Sequence, residues 1–158
     1  MDGHNFERLK AHIITLSISQ NFDAARTEWD LISVEISEET ASCPCGQQIL
    51  EHCYIQNRLT GYKTYVGNVC INRFLRIDTG HLFDGLKRIR DNPEANANEA
   101  VIEYAQKNGY LYEKEYKFLH DTKRKRKPSG PVAAWKRKIN HRILNKTVVR
   151  RRSEPSAS

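Results

Sequence analysis

The sequence contains no run of about 18 apolar residues, the length that a helix needs to cross a membrane, so no membrane contact is expected. Its first residues also lack the basic stretch and apolar block of a secretion signal, which predicts a cytoplasmic protein, with association with the nucleoid as a further option. Hydrophobic residues make up 39% of the 158 residues, below the ~45–50% of typical globular chains. One domain, with or without an appendage, is therefore predicted, and a bound metal would help to stabilise its small core.

Cysteine is absent from the first 42 residues and from the last 88, because all four cysteines lie between residues 43 and 70. In a reducing compartment such a cluster favours a metal site over disulfide bonds. Four thiolates suit a structural Zn²⁺ ion, which they surround without leaving a position for water. The predicted zinc ligands are Cys43, Cys45, Cys53 and Cys70.

The identity of the third ligand is undecided, because His52 directly precedes Cys53. Neighbouring residues of a strand point to opposite faces, so only one of the two can bind the ion. Cys53 is preferred because thiolate-rich sets are common in structural zinc sites. The alternative in which His52 replaces Cys53 is retained.

Regular elements are predicted on both sides of the cysteines. Residues 28–37 alternate and are rich in β-branched side chains, which predicts a strand, and the polar residues 37–40 are expected to end it. Apolar residues recur at helical spacing in five other segments. The predicted helices cover residues 4–19, 81–91, 94–108, 113–123 and 132–145.

A turn, a hairpin and a helix are predicted within the cysteine-containing segment. The sequence Cys43-Pro44-Cys45-Gly46 indicates a tight turn, and residues 53–67 indicate a β-hairpin. Asn68 is predicted to cap the following helix, which places Cys70 in a first turn where the helix dipole favours a thiolate. This order is typical of a treble-clef zinc finger, although most treble clefs carry two ligands at the helix start.

The predicted fold is therefore α+β: a zinc-bound, treble-clef-like β-hairpin with a preceding strand, packed on a mostly helical C-terminal half. The expected divisions are an N-terminal helix in residues 1–27, a zinc-binding module in 28–80, a basic helical region in 81–146 and a disordered basic tail in 147–158.

Positive charge is confined to the C-terminal third. Residues 1–113 hold 11 Lys/Arg against 16 Asp/Glu, whereas residues 114–152 hold 15 against 2. Such asymmetry indicates a polyanionic partner, either DNA or RNA, although a solvated tail that aids solubility has the same pattern. The predicted nucleic-acid-binding residues are Lys123, Arg124, Lys125, Arg126, Lys127, Lys136, Arg137, Lys138, Arg142, Arg150, Arg151 and Arg152.

Two other functions are weighed against nucleic-acid binding. In the first, the acidic N-terminal part makes the chain an inhibitor or adaptor of a host nucleic-acid or defence enzyme. In the second, the chain is a metal-dependent nuclease whose metal site uses His52, Asn57, Asn72 and His81. No histidine pair has tight ligand spacing and no carboxylate pair stands out, so a non-enzymatic protein is expected.

Three segments, 43–46, 53–61 and 66–74, resemble a family of small uncharacterised proteins from phages, plasmids and bacterial genomes. The similarity continues in residues 83–89, 115–126 and 139–140 and covers about residues 28–145. The resemblance implies zinc at the four cysteines and a mobile-element origin, and it implies no activity.

Overall fold

The structure, a computed structural model, describes residues 3–125 and 130–149. The chain forms two compact units, Met1–Thr79 (the first unit) and Gly80–Ser158 (the second unit). The predicted α+β class is confirmed, since the described residues contain a three-stranded antiparallel sheet and seven α-helices. None of the helices in this described part combines the length and apolarity that spanning a membrane requires.

The first unit builds its sheet between short helices. Its elements are α1 (Gly3–Thr15), α2 (Phe22–Ala25), a 3₁₀ turn (Arg26–Glu28), β1 (Trp29–Ser42), β2 (Gln48–Asn57), β3 (Lys63–Gly67) and α3 (Asn68–Leu75). The strands pair in the order β1-β2-β3, each antiparallel to the next. Apolar side chains from the helices and from one side of the sheet form the core of this unit: Leu9, Ile13, Ala25, Trp29, Val34, Ile55, Val66, Ile71 and Phe74.

β1 is longer than predicted, because the polar residues 37–40 interrupt its pairing without ending the strand. Ile36 pairs with Glu51 and Ala41 with Ile49, so four residues of β1 lie opposite one residue of β2. Within this irregularity the Ser37 hydroxyl accepts a hydrogen bond from the backbone N–H of Glu39 and donates one to its carbonyl. The strand thereby continues to Ser42 and brings the chain to the first cysteine.

A buried carboxylate joins the loops of the first unit. Glu28 is 6% exposed and accepts hydrogen bonds from the backbone N–H groups of Ile18 and Ser19 and from Asn57 Nδ2, each at 2.9 Å. The hydrogen bond from the Asn57 side chain, followed by that from Ile18, lowers the pKa of Glu28. Charged Glu28 therefore fastens the loop after α1 to the hairpin between β2 and β3.

The second unit is helical. It consists of α4 (Gly80–Asp91), α5 (Glu99–Lys107), α6 (Glu113–Thr122) and α7 (Gly130–Leu144). α5 begins later than the predicted residue 94, because the Asn98 side chain accepts a hydrogen bond from the N–H of Val101 and caps the helix there. Of the predicted tail, residues 147–149 are described, with the Val149 N–H donating to the Gly109 carbonyl, and residues 150–158 lie outside the described part.

Candidate metal centre and basic surface

Three cysteine sulfurs converge in the first unit. The Sγ atoms of Cys43, Cys45 and Cys70 all lie within 4.8 Å of one another, and the three residues are 1–3% exposed. The Sγ atoms of Cys43 and Cys70 are 3.6 Å apart. Two sulfurs at the corners of a tetrahedron around zinc, each about 2.3 Å from the ion, lie roughly 3.8 Å apart. This three-cysteine cluster therefore has the spacing of a metal site.

The turn between β1 and β2 supplies two of these sulfurs. The Gly46 N–H donates to the Cys43 carbonyl at 2.7 Å, and the Cys43 N–H donates to the Gln47 carbonyl at 2.8 Å. Gly46 has a φ of +101°, which a side chain would disfavour, and the Arg8 guanidinium lies against its α-carbon. The predicted tight turn is thus present, and it places the sulfurs of Cys43 and Cys45 on the same side as α3.

Cys70 comes from the first turn of α3, as predicted. The cap of this helix differs from the prediction, because Gly67 takes the N-cap position and Asn68 is the first helical residue. The Asn68 side chain instead donates through Nδ2 to Glu51 Oε2. Asn68 therefore links the start of α3 to β2 beside the three-cysteine cluster, and the prediction that it caps the helix was wrong.

Hydrogen bonding favours a thiolate at Cys43. Cys43 Sγ and Cys70 Sγ share a hydrogen bond, and the backbone N–H groups of Cys45 and Gly67 donate to Cys43 Sγ, with Gly67 N at 3.4 Å. The hydrogen bond with Cys70 has the largest effect and lowers the pKa of Cys43 to about 6, although burial alone would raise it. The hydrogen bond shared with Cys43 raises the pKa of Cys70. These hydrogen bonds therefore favour a negative charge on Cys43, and a thiolate there would attract a cation.

Cys53 and His52 do not join the three-cysteine cluster. Cys53 pairs across the sheet with Val34 and Val66, is fully buried, and has its pKa raised to about 12 by burial. His52 lies on the opposite face, where its ring is 5.0 Å from the ring of Tyr65. The structure therefore brings together three of the four predicted cysteines and leaves Cys53 apart, because the pleat turns Cys53 toward the apolar core.

Two of the predicted nucleic-acid contacts lie inside the second unit. Lys136 is 1% exposed, and its Nζ donates to the Thr122 hydroxyl at 2.7 Å. Arg142 is 9% exposed, donates to both carboxylate oxygens of Glu115 and donates to the Tyr110 carbonyl at 3.1 Å. The prediction was wrong for Lys136 and Arg142, because both cations are buried with partners.

The other described residues of the predicted set remain at the surface. Lys123 is half-buried, Arg124, Lys125 and Lys138 are exposed, and exposed Arg137 pairs with Glu94. We call these five the basic surface. The remaining members of the predicted set lie outside the described residues: Arg126, Lys127, Arg150, Arg151 and Arg152.

Replacement of Lys136 by methionine is expected to stabilise the protein at pH 7 by about 1–3 kcal/mol, because a buried charge is removed. Burial, followed by repulsion from Lys125, lowers the pKa of Lys136 to about 8. Between pH 8 and the ordinary lysine pKa the unfolded chain binds more protons, so the wild type gains stability as the pH rises. The advantage of Lys136→Met should therefore shrink in urea titrations between pH 8 and pH 10. An equal advantage throughout this range would contradict a buried, charged Lys136.

No protein-family model, curated protein or solved structure matches this chain significantly. The function is therefore inferred from the chemistry of the three-cysteine cluster and the basic surface.

Proposed function

We propose that this chain is a zinc-stabilised protein that binds nucleic acid through the basic surface of its second unit. The observation that carries the proposal is the separation of charge between the two units. Residues 1–79 hold 7 Lys/Arg against 10 Asp/Glu, whereas residues 80–158 hold 19 against 9. Phosphate backbones bind such concentrations of lysine and arginine by releasing their condensed counterions.

Zinc is the proposed metal because the three-cysteine cluster offers only sulfur ligands. Soft thiolates favour Zn²⁺, Cu⁺ or iron–sulfur clusters over Mg²⁺ and Ca²⁺, and tetrahedral zinc has no redox chemistry that a reducing compartment would disturb. The spacing of the Cys43 and Cys70 sulfurs also suits a single ion. In this role zinc joins the β1–β2 turn to α3 and so stabilises the first unit.

The basic surface lies on α7 and on the turn after α6, and contacts between these two helices fix its position. The Phe118 and Trp135 rings stack with centroids 4.0 Å apart, and Lys136 of α7 bonds to the last residue of α6. The Asn96 side chain donates to the Lys125 carbonyl at 2.6 Å. Residues 123–125 and 137–138 are therefore held on one packed helical unit, which supports binding of phosphates at a defined surface.

Neutralising one end of this surface is the direct test. The triple variant Lys123→Gln/Arg124→Gln/Lys125→Gln should bind labelled DNA or RNA oligonucleotides at least about tenfold more weakly in 0.1 M salt. Its slope of log K against log salt on duplex DNA should fall by about 2 to 3, since each lost phosphate contact removes about 0.9. Fluorescence anisotropy over a salt series measures both quantities.

A charge-matched control is available in the first unit, where Lys10→Gln/Lys63→Gln/Arg76→Gln also removes three positive charges. This control should keep the wild-type salt slope, and Lys136→Met should keep it too because that side chain is buried. Equal weakening by both triple variants would indicate a response to net charge alone and would contradict a binding surface.

The identity of a partner is tested by purification from the native host with and without nuclease treatment. Co-purifying nucleic acid supports the proposal. A stoichiometric protein that survives nuclease treatment would favour the adaptor hypothesis instead. The mobile-element origin stays a prediction.

A further inference from the structure

The three-cysteine cluster is one ligand short of a closed zinc site. Zinc in structural sites takes four ligands in a tetrahedron. Among the residues whose side chains the structure describes, 5–125 and 130–149, no fourth Cys, His, Asp or Glu ligand atom joins Cys43, Cys45 and Cys70 at the distance that unites these three. Cys53 and His52, the two predicted candidates, are held elsewhere by the core and by the aromatic face of the sheet.

A cavity lies beside the three sulfurs. It has a volume of about 400 Å³, within the range of pockets that bind small molecules. All three cysteines line it, together with Gln48, Leu50, Glu51, Asn68 and Val69. Leu50 and Val69 are 44% and 52% exposed, so the cavity is bordered by side chains that reach solvent. The cavity therefore borders solvent on one side and the three-cysteine cluster on another.

We propose that the metal held by Cys43, Cys45 and Cys70 keeps its fourth coordination position open to this cavity and binds a small-molecule thiol there. This inference rests on the zinc part of the proposed function. Water fills the position when no thiol is present. On binding, the thiol forms a metal–sulfur bond as a thiolate, displaces the water and releases its proton to solvent.

Charge and softness select this class of ligand. A divalent ion with three thiolates carries one net negative charge, and Glu51 places a carboxyl group in the same cavity. Phosphates and carboxylates are hard anions and are therefore disfavoured, whereas sulfur matches the softness of a thiolate-bound metal. The apolar side chains of Leu50 and Val69 suit the short hydrocarbon part of such a thiol.

Glu51 adds a preference among thiols. Its Oε2 accepts a hydrogen bond from Asn68 Nδ2, which directs the carboxylate from β2 toward the start of α3. A carboxylate in the cavity attracts a ligand with an ammonium group and repels one with a carboxylate. An aminothiol should therefore bind more tightly than a mercapto acid of similar length.

The experiment uses the full chain loaded with Co²⁺, whose visible absorption reports the number and kind of ligands. The first step measures metal per chain. The second titrates the loaded protein with 2-aminoethanethiol and with 3-mercaptopropionate under anaerobic conditions. We expect one metal per chain, a saturable change in the cobalt bands, and aminothiol binding tighter by about three- to tenfold. In Glu51→Gln the change should persist and the preference should disappear.

X-ray absorption at the zinc edge of the untreated protein provides a second test that needs no variant. Three sulfurs and one light atom without an imidazole pattern support the open position. Four sulfurs, or three sulfurs and an imidazole, together with cobalt bands that do not respond to thiols, would overturn the inference while leaving the zinc proposal intact. A protein that binds no metal would overturn both the inference and the zinc part of the proposed function.

Discussion

Cys70→Ser is expected to abolish tight zinc binding and to remove the stabilisation that zinc gives the first unit. A ligand that binds only the folded state at a free concentration a thousand times its Kd adds about 4 kcal/mol. Cys70 is central to this effect because it carries the only one of the three sulfurs that comes from α3, the other two lying in the β1–β2 turn. Its loss removes the link through zinc between the helix and the turn.

The measurement is urea unfolding with zinc and with a chelator. The chain has two tryptophans, and Trp29 lies in the first unit while Trp135 lies in the second. In a Trp135→Phe background the fluorescence therefore reports the first unit alone. Zinc should raise the unfolding midpoint of the parent protein and leave the midpoint of Cys70→Ser unchanged.

Cys53→Ser is the matched control, since the same substitution removes a thiol outside the three-cysteine cluster. Its stability should fall because a hydroxyl is placed in the apolar core, where Cys53 is fully buried. The increment between zinc and chelator should nevertheless remain at the wild-type value. A zinc increment that survives in Cys70→Ser, or one that vanishes in Cys53→Ser, would contradict the three-cysteine site.

Arg142→Leu is expected to destabilise the second unit by about 3–5 kcal/mol, because it leaves the carboxylate of Glu115 buried without its cation. The side chains of this ion pair are only 10% and 4% exposed. Glu115 also accepts hydrogen bonds from the Tyr112 N–H and from Trp135 Nε1. The carboxylate thus joins the start of α6 to two residues of α7.

The loss in Arg142→Leu should depend on pH. Burial raises the pKa of Glu115, but the hydrogen bonds from Arg142, Tyr112 and Trp135 outweigh it, so the pKa is lowered overall. The wild type therefore keeps this stabilisation above the ordinary glutamate pKa and loses it as the pH falls. Without Arg142, burial raises the pKa of Glu115, and protonation relieves the variant. The difference in stability between wild type and variant should be largest near pH 7 and shrink toward pH 4.

The double variant Glu115→Gln/Arg142→Leu separates the two roles of the pair. It removes the buried charge and keeps one oxygen that accepts from Tyr112 or from Trp135, so it should be more stable than Arg142→Leu at pH 7. Urea titrations followed by Trp135 fluorescence in a Trp29→Phe background measure this directly. If Arg142→Leu left stability unchanged and weakened nucleic-acid binding, Arg142 would belong to the surface as first predicted.

The amino-acid pattern was sufficient to predict those elements whose structure depends on residues close together in the sequence. The Pro44-Cys45-Gly46 turn, the hairpin around Gly61 and the helix that carries Cys70 each follow from residues that are adjacent in sequence. The α+β class also follows from these elements. The length of β1 did not follow, because pairing with β2 resumes at Ala41, beyond the unpaired polar residues 37–40, and this segment alone does not reveal that partner strand.

The charged residues of α7 show the limit of pattern analysis most clearly. The helical pattern predicts that lysine and arginine lie on the solvated side of this helix, yet Lys136 and Arg142 are buried in the second unit. Their burial depends on Thr122 and Glu115, which are 14 and 27 residues away in the chain. No helical periodicity reveals such partners.

The sequence by itself determined that the cysteines gather in one segment and that positive charge gathers at the other end of the chain. Only the tertiary structure decided which thiols meet. Cys43, Cys45 and Cys70 converge because a turn and a helix start are brought together by the pairing of three strands. Cys53 is excluded because the pleat of β2 turns it into the core, a choice that depends on strand register and not on spacing.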